Sequence, residues 1–275
     1  MILLIFSPIV DLYMPIPIKT SDDIAKMRVV GRMAAEVLEI IKPYIQSGIT
    51  TGALDRFCHQ HITEKQQAVA ASLGYYGFPK SVCISVNEVV CHGIPSYEKK
   101  LKDGDILNID VTVINDGFHG DTSKMFIVGK PTILGERLCR VTQASLYRAI
   151  SMVQPGIRLR ALGQELQQFV EAECFSVVRE YCGHGIGEGF HEDPKVLHYA
   201  GDDNGVVLQP GMAFTIEPMV NAGDHRIRTM KDGWTVKTKD RSLSAQYEHT
   251  VVVTEDGCEI MTLRTDEQFP ALIHH

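Results

Sequence analysis

An internal repeat is the feature that most restricts how this 275-residue chain can fold. The segment LKDGDILNID (101–110) matches LQPGMAFTIE (208–217) at Leu, Gly, Ile and the final acid, always at a spacing of 107 residues. Upstream, IQSGITTGAL (45–54) matches VQPGIRLRAL (153–162) at a spacing of 108 residues. Two long, nearly equal units are not a solenoid, which stacks several shorter repeats. They predict a duplicated structure with a pseudo-two-fold axis.

Each half shows the same order of predicted elements, with helices first and strands after them. Helical spacing of apolar residues and helix-capping residues predict helices over 24–41, from 52, over 143–153 and over 162–178, the first capped near Thr20 or Ser21. Alternating, β-branched segments predict strands over 106–114, 118–128, 214–220, 250–254 and 258–262, with Asp116-Gly117 as a two-residue hairpin turn. Helices that cover one face of an antiparallel sheet give an α+β fold. We expect a single catalytic domain over 14–275, with repeat halves at about 20–130 and 131–265.

Charge and composition exclude several classes of protein. Lys and Arg number 27 against 34 Asp and Glu, and this net charge of −7 disfavours a DNA or RNA function. The 7 cysteines are scattered without a C-x-x-C pair, which indicates reduced thiols and a cytoplasmic location. No apolar run approaches the ~20 residues that span a bilayer. We therefore expect no membrane partner.

The first residues, MILLIFSPIVDLY (1–13), make a poor signal peptide. They lack a basic start, are interrupted by Pro8 and carry Asp11 near their end. A second methionine, Met14, precedes a segment that leads into the first helix. We expect that translation starts at Met14 and that residues 1–13 are a non-native extension without fixed structure.

Acidic residues stand where the strands should be apolar. Asp110 lies on the polar face of its strand, and the hairpin register pairs position 110 with 123, which puts Asp121 on the same face. The hairpin alone leaves two interpretations open, a solvated face or a metal site. The repeat favours the metal site, because Glu217 is equivalent to Asp110 and Glu248 opens the last strand pair. Four carboxylates from two related hairpins suit a dinuclear site for hard divalent cations.

The segment YCGHGIGEGFHEDP (181–194) supplies imidazole side chains. Its glycines are not a dinucleotide fingerprint, but they allow close approach of the backbone to a ligand. His184 and His92 share the tripeptide His-Gly-Ile, one copy in each half, which separates them from ordinary histidines. Cys182 allows a thiol nucleophile, but a buried structural thiol and a metal-activated water are the better interpretations. The structural or solvated histidines are then His59, His61, His119, His198, His225 and His249.

At this point a family resemblance is specific. The motifs that carry it are SVNEVVCHGIP, NIDVTVINDGFHGDTSKMF, YCGHGIGEGFHEDP, FTIEPMVNAG and WTVKTKDRSLSAQYEHT. Together, over roughly Ile18 to Leu272, they resemble the type I bacterial methionine aminopeptidases, which have the pita-bread fold and the ligand order Asp, Asp, His, Glu, Glu. The resemblance implies a role for each of five ligands: Asp110 on one metal, Asp121 and Glu248 shared by both, and His184 and Glu217 on the second.

The resemblance also implies a reaction. A hydroxide between the ions attacks the first peptide carbonyl, and Glu217 shuttles the proton. His191 stabilises the oxyanion, and His92 donates to the scissile amide nitrogen. The implied methionine pocket is apolar and consists of Tyr75, Phe78, Cys83 and Trp234.

Substrates, cofactors and partners follow from the same resemblance. The substrates are nascent chains in which a small residue follows the initiator methionine. The cofactors are two divalent ions, Co, Mn, Fe or Zn, among which these ligands do not discriminate. A monovalent cation would bind at Asn87, Val89 and Ser244. We expect a cytoplasmic monomer that associates transiently with the ribosome.

Three departures and three alternatives accompany this interpretation. The family would more often have cysteine at Ser72, histidine at Tyr76 and tyrosine at Phe78, so the details of the pocket differ. An Xaa-Pro dipeptidase shares the ligands but usually carries a large N-terminal domain, for which there is no room before Ile24. A type II enzyme has a long insertion between the last two ligands, here only 31 residues apart. A metal-free binding module of this fold would have lost ligands that are all present.

Overall fold

The computed structural model describes residues 16–201 and 205–267. The predicted extension over 1–13 and the start at Met14 lie outside these ranges. The described chain contains the α-helices α1 (Ser21–Ile41), α2 (Thr51–Gln60), α3 (Ile133–Ser151) and α4 (Leu159–Ala172), and short helical segments at Lys42–Tyr44, His61–Lys65 and Tyr75–Gly77. Within these ranges, no helix combines the length and apolar character that a bilayer crossing requires.

The strands pair antiparallel wherever the structure describes them, and the expected antiparallel sheet is divided into four parts. In the first half lie β1 (Val69–Ala70), β2 (Cys83–Val86), β3 (Val89–Cys91), β4 (Ile106–Asn115) and β5 (Phe118–Ile127). In the second lie β6 (Ser176–Val177), β7 (Gly183–Gly185), β8 (Glu192–Val196), β9 (Ala213–Ile216), β10 (Met219–Asn221), β11 (Ile227–Thr229), β12 (Val236–Thr238), β13 (Ser244–Gln246), β14 (His249–Val253) and β15 (Cys258–Ile260). Sheet β1-β4-β2 carries β5 on β4, and the largest second-half sheet has the order β15-β14-β9-β7-β8. The remaining sheets are β13-β10-β6 and β11-β12-β3.

The β4–β5 hairpin has the predicted register. Asn115 pairs with Phe118 across Asp116-Gly117, so Asp110 pairs with Ser123. Asp116 and Gly117 have φ angles of 47° and 77°, as a type I′ turn requires. The Asp-Gly dipeptide therefore fixes which residues of the two strands share a face.

The corresponding segment of the second half is broken. The sequence predicts one strand over 214–220, and this prediction is wrong, because β9 ends at Ile216 and β10 begins at Met219 in a different sheet. Pro218 has no backbone N–H and cannot continue the ladder. Glu217 consequently lies at a strand end rather than in a strand interior.

Two helix boundaries differ from the prediction by more than three residues. Helix α3 begins at Ile133, ten residues before the predicted start at 143, because the hydroxyl of Thr132 accepts a hydrogen bond from the Gly135 N–H and caps it. Helix α4 ends at Ala172 rather than 178, because Cys174 adopts a left-handed φ of 59°. The apolar residues that follow Cys174 enter β6 instead of extending the helix.

Each half has its own apolar core. Helix α1 begins with a capping box, in which Thr20 and Asp23 bond each other's backbone N–H groups, and packs on β4 and β5. Helices α3 and α4 pack together, and α3 also contacts β9, β10 and β13. The hairpin of the first half and the last strands of the second meet at a β-bridge between Ser123 and Glu248. The acid-bearing strands of both halves therefore converge at this junction.

Candidate metal centre

One cavity of about 580 Å³ lies at the junction of the two halves. The predicted ligands, catalytic histidines and methionine-pocket residues all line it: Asp110, Asp121, His184, Glu217, Glu248, His92, His191, Tyr75, Phe78, Cys83 and Trp234. The duplicated topology thus brings together side chains that are far apart in the sequence.

The first half contributes two carboxylates from the hairpin. Asp121 is 4% exposed and stands opposite Thr112, whose hydroxyl donates to its Oδ1 at 2.8 Å. Asp110 lies on the same face, two residues before Thr112. Burial raises the pKa of both carboxyl groups, and the charge of Asp110 raises that of Asp121 further.

The second half contributes two glutamates. Glu217 Oε1 accepts from the Thr215 hydroxyl at 3.0 Å, and its Oε2 accepts from Gln246 Nε2 at 3.3 Å. Glu248 is 2% exposed and donates its backbone N–H to the Ser123 carbonyl at 3.1 Å. Burial raises the pKa of both glutamates, and the neighbouring carboxylates raise it further.

His184 completes the cluster on strand β7. Its Nε2 lies 3.7 Å from Asp121 Oδ2 and 3.6 Å from Glu217 Oε1. Its Nδ1 lies 3.0 Å from the Gly185 carbonyl, which can only accept, so the proton is on Nδ1 and the Nε2 lone pair faces the acids. Burial lowers the pKa of His184 to about 3, which keeps the imidazole neutral.

This donor set fits divalent metal ions. One ligand atom each from Asp121, His184 and Glu248 lies within 4.8 Å of the others. In the described chain, no lysine or arginine forms an ion pair with any of the four acids. Buried, mutually repelling carboxylates without a protein cation are unfavourable unless protons or metal ions neutralise them. Carboxylate oxygens and one neutral imidazole are ligands that Mn, Fe, Co and Zn accept.

The two histidines predicted to be catalytic lie around the cavity at different depths. His92 has a left-handed φ of 54°, and burial lowers its pKa to about 4. His191 is exposed at the rim, where its ring centroid lies 4.2 Å from that of His184. The Tyr75 hydroxyl lies 2.7 Å from His191 Nδ1, so Tyr75 contacts a histidine besides lining the cavity.

The four side chains of the predicted apolar pocket all line this cavity. Phe78 and Trp234 are in edge contact with ring centroids 5.2 Å apart, and Trp234 also contacts His92. Cys83 pairs with Asp110 across β2 and β4, which sets the pocket beside the acids. Tyr76 is 85% exposed and does not line the cavity. Further lining residues that the sequence did not single out are Cys91, Tyr181, Phe190, Met219 and Gln246.

Cys182 also lines the cavity, but it is only partly buried. Burial raises the pKa of its thiol, so the thiol is not activated as a nucleophile. The structure therefore gives no support to thiol chemistry at Cys182.

The glycines of 181–194 serve a different purpose from the predicted one. A Cβ atom on Gly183 would lie 2.3 Å from the Thr215 carbonyl oxygen, and one on Gly187 would lie 2.2 Å from Lys19 Nζ. These glycines therefore allow close approach of neighbouring strands and of Lys19 rather than of a ligand.

Three polar residues that hold the acids in place escaped prediction. Thr215 stands two residues before Glu217, the acid it bonds, and Thr112 stands opposite Asp121 in the predicted hairpin register, so both positions could have been found from the sequence. His198, interpreted from the sequence as structural or solvated, accepts a hydrogen bond at Nε2 from the Glu217 N–H at 3.1 Å. Its sequence context gives no signal of this contact, because the segments that follow β8 and β9 meet only in the folded protein.

The predicted monovalent-cation residues lie outside the cavity. The Ser244 N–H donates to the Asn87 carbonyl at 2.9 Å, so these two residues are adjacent. Asn87 Oδ1 accepts from the Ile106 N–H, and the Ser244 hydroxyl donates to Asn221 Oδ1. Val89 lies on β3, two residues after Asn87.

Comparison with known proteins identifies the family. The profile of metallopeptidase family M24 matches residues 25–255. The methionine aminopeptidase of Salmonella typhimurium is 75% identical over 262 residues, which cover 95% of this chain and 99% of that relative. The crystal structure of methionine aminopeptidase from Rickettsia prowazekii is 50% identical, with a TM-score of 0.88, and the match covers 90% of this chain and 100% of that one.

A more distant likeness concerns the fold alone. Prolidase from Pyrococcus furiosus superimposes with a TM-score of 0.72 at 20% identity, over 91% of this chain and 66% of that one. Together with the antiparallel strands and covering helices, these likenesses confirm the predicted pita-bread fold. The chain belongs to metallopeptidase family M24 and, within it, to the type I bacterial methionine aminopeptidases.

Proposed function

We propose that this protein removes the N-terminal methionine from peptides and nascent chains in which the second residue is small. The observation that carries the proposal is one cavity lined both by a set of metal-ligand side chains and by the apolar side chains of Phe78, Cys83 and Trp234. An unbranched thioether side chain fills an aromatic-lined pocket well. A methionine side chain in this pocket would set the first peptide bond of the substrate beside the acids.

Five side chains would hold two divalent ions. Asp110 would bind one ion, His184 and Glu217 the other, and Asp121 and Glu248 would be shared. When bound, the ions supply Lewis acidity toward the peptide carbonyl and lower the pKa of a bound water. The metal in the cell would be Co, Mn, Fe or Zn, because this donor set accepts each of them.

The remaining steps belong to side chains of the protein. Glu217 would accept the proton of the attacking water at its carboxylate and pass it to the leaving amine. The low pKa of His92 leaves a neutral imidazole with one N–H, which donates to the scissile amide nitrogen. Tyr75 O–H donation to His191 Nδ1 would keep the proton on Nε2, where it stabilises the oxyanion.

The methionine side chain would bind against Phe78, Cys83, Trp234 and the ring of Tyr75. Phe78 and Cys83 are almost fully buried, so their side chains are shielded from bulk solvent. A monovalent cation at Asn87, Val89 and Ser244 would stabilise the start of β3 and the start of β13 from outside the cavity.

The proposed partners are nascent chains on the ribosome, which the protein would meet as a cytoplasmic monomer. The hairpin over 226–241 supports this part of the proposal, because it carries six basic residues and two acidic ones. A basic hairpin on an acidic protein directs a polyanion such as ribosomal RNA to one face. Association with ribosomes should weaken steeply as salt rises.

A peptide assay on protein stripped of metal tests the proposal. Met-Gly-Met-Met and Ala-Pro are offered separately after Mn, Fe, Co or Zn is added back. We expect methionine from the tetrapeptide and no proline from Ala-Pro, and a calorimetric titration should give two ions per chain. Release of proline without methionine would contradict the proposal and indicate a dipeptidase.

A further inference from the structure

A buried ion pair ties the N-terminal segment to the rim of the cavity. Lys19 Nζ lies 2.5 Å from Glu192 Oε2, and the two side chains are only 7% and 14% exposed. Lys19 precedes α1, and its backbone N–H donates to the Gly211 carbonyl at 2.8 Å. Its neighbour Ile18 forms a β-bridge with Met212. Lys19 is thus held at its backbone before it contacts Glu192.

Glu192 in turn holds the loop that precedes it. Its Oε1 accepts the Gly189 N–H at 2.8 Å, while Oε2 takes the Lys19 ammonium. Any side chain at Gly187 would collide with Lys19 Nζ. The Lys19 ammonium and the Glu192 carboxylate are therefore both in close contact with residues 187–189.

The opposite side of the loop is held by aromatic contacts. The His119 N–H donates to the Gly187 carbonyl at 2.8 Å, and the His119 ring stacks on Phe190 with centroids 5.4 Å apart. Phe190 also stacks on His191 at 4.4 Å and contacts Tyr75 at 4.8 Å. His191 is therefore the exposed end of a loop that is clamped between two supports.

The ion pair also separates two cavities. Glu192 lines both the 580 Å³ catalytic cavity and a second cavity of about 230 Å³, which Lys19 lines as well. Without the Lys19 side chain, nothing charged would hold Glu192 on the wall between them. Glu192 would then keep only its hydrogen bond from the Gly189 N–H.

We propose that Lys19 and Glu192 are positioning residues that fix the loop 187–192 and thereby the ring of His191. A buried ion pair adds little net stability, so its presence beside the exposed side chain of His191 fits a role in geometry. Displacing such a side chain by about 1 Å can cost on the order of 10²-fold in rate. The inference rests on the proposed function through the role of His191, but the geometry of the loop can be measured without that function.

Lys19→Met tests the kinetic consequence, because it keeps the length of the side chain and removes its charge. We expect kcat to fall on the order of tenfold while KM stays within about twofold, since only the transition-state contact of His191 is lost. In a His191→Ala background the same substitution should change kcat by less than about twofold, because the group it positions is absent. An equal loss in both backgrounds would overturn the proposal.

A second measurement needs no catalysis. Hydrogen exchange on the metal-free protein should show faster exchange over 185–191 in Lys19→Met than in the wild type, because the Gly189 N–H loses a fixed acceptor. The matched control is Arg28→Met, which removes an arginine that bonds Glu259 at 2.6 and 2.7 Å on the surface of α1. Arg28→Met should leave both the exchange of 185–191 and kcat unchanged.

Other outcomes decide the matter as well. If Lys19→Met does not fold, Glu192→Gln replaces it in both experiments. Lys19→Arg, which keeps the positive charge, should retain most of the wild-type kcat. Unchanged exchange over 185–191 would reject the positioning role whatever the kinetics show. If the wild type releases no methionine, the proposed function fails. Faster exchange over 185–191 in Lys19→Met would still show that the ion pair holds the loop.

Discussion

The protein has two buried clusters of charged residues, one in the metal centre and one near the C-terminal end of the described chain. The carboxylates of the two clusters are in opposite electrostatic environments. In the metal centre, acids from both halves face one another and His184. In the second cluster, Glu267 is 4% exposed, lies 2.6 Å from Arg264 Nη2 and accepts from the Tyr147 hydroxyl at 2.7 Å. His249, between Arg264 and Glu267, is fully buried.

The pKa values show what the difference means. Burial and like charges raise the pKa of Asp121 and Glu248. Burial also opposes ionisation of Glu267, but the His249 and Arg264 side chains outweigh it and hold its pKa well below the usual range. Glu267 is therefore neutralised by the protein itself, whereas the acids of the metal centre need cations from outside. One cluster is built for stability and the other for binding.

Glu248→Gln should have the largest effect. The amide keeps the shape of the side chain but removes the charge shared by the two ions, so we expect kcat/KM to fall by roughly 10³-fold or more, about 4 kcal/mol of transition-state stabilisation. The increase in Tm that Mn or Co gives the wild type should disappear. The metal-free variant should unfold at the same Tm as the wild type or higher, because repulsion among the acids is relieved.

Unchanged turnover in Glu248→Gln, or a lower Tm of the metal-free variant, would contradict this prediction. Glu248 would then contribute to stability, as Glu267 does, rather than to metal binding. Differential scanning calorimetry with and without metal gives both Tm values. The fold of the variant is checked by circular dichroism.

Glu267→Gln should do the reverse. It leaves Arg264 buried with a weakened partner, and breaking a buried pair costs about 3–5 kcal/mol of unfolding free energy. Metal affinity and kcat at low temperature should be unchanged. Urea unfolding of the metal-free protein measures the loss, and Glu259→Gln, in an exposed pair with Arg28, should cost no more than about 1 kcal/mol.

The two clusters also mark what the sequence could predict. The Asp-Gly turn and the two-residue period of strands place Asp110 and Asp121 on one face, and the repeat adds Glu217. These inferences hold because they depend on local geometry and on duplication. Glu248 was assigned to the metal site from its position at the opening of the last strand pair, and only its sharing between two ions needed the family resemblance.

The contacts of the second cluster were not predictable. Arg264 and Glu267 follow the last strand in a segment without helical or strand periodicity, and their partner His249 looked like an ordinary strand residue. Lys19 likewise meets Glu192 only because Ile18 pairs with Met212. Side-chain pairs of this kind depend on how distant segments pack, which no local pattern encodes. The break at Pro218 is the exception, since a proline inside a predicted strand is a warning visible in the sequence.

The stability contributed by Glu267 should depend on pH. Its pKa in the folded protein lies below its unfolded value, so the contribution is fully present above about pH 4.5 and is lost as pH falls further. The difference in unfolding free energy between wild type and Glu267→Gln should therefore be constant from pH 7 to about 5 and shrink below about 4.5. Urea unfolding of the two metal-free proteins across this range measures it. A difference that grows on acidification would mean that Glu267 is already protonated in the folded state.

Two single-hydroxyl deletions offer the smallest and most closely matched test. The Thr112 hydroxyl donates to Asp121 Oδ1 at 2.8 Å, and the Tyr147 hydroxyl donates to Glu267 Oε1 at 2.7 Å. Thr112→Val should weaken metal affinity by on the order of tenfold, because Asp121 loses the donor that orients it for a metal. It should leave the metal-free protein about as stable as before, since the hydroxyl favours a charge that the metal-free cluster disfavours.

Tyr147→Phe should do the opposite and cost about 1–2 kcal/mol of unfolding free energy while leaving metal affinity unchanged, because it removes a hydrogen bond to a carboxylate that is charged with or without metal. Calorimetric titration with Mn or Co gives the metal affinity of each variant, and urea unfolding gives the unfolding free energy of each metal-free variant. If Thr112→Val destabilised the metal-free protein and kept its metal affinity, the Asp121 carboxylate would be held as an anion by the fold itself. The metal centre and the Glu267 cluster would then both hold a charged carboxylate without metal, and the contrast between them would fail.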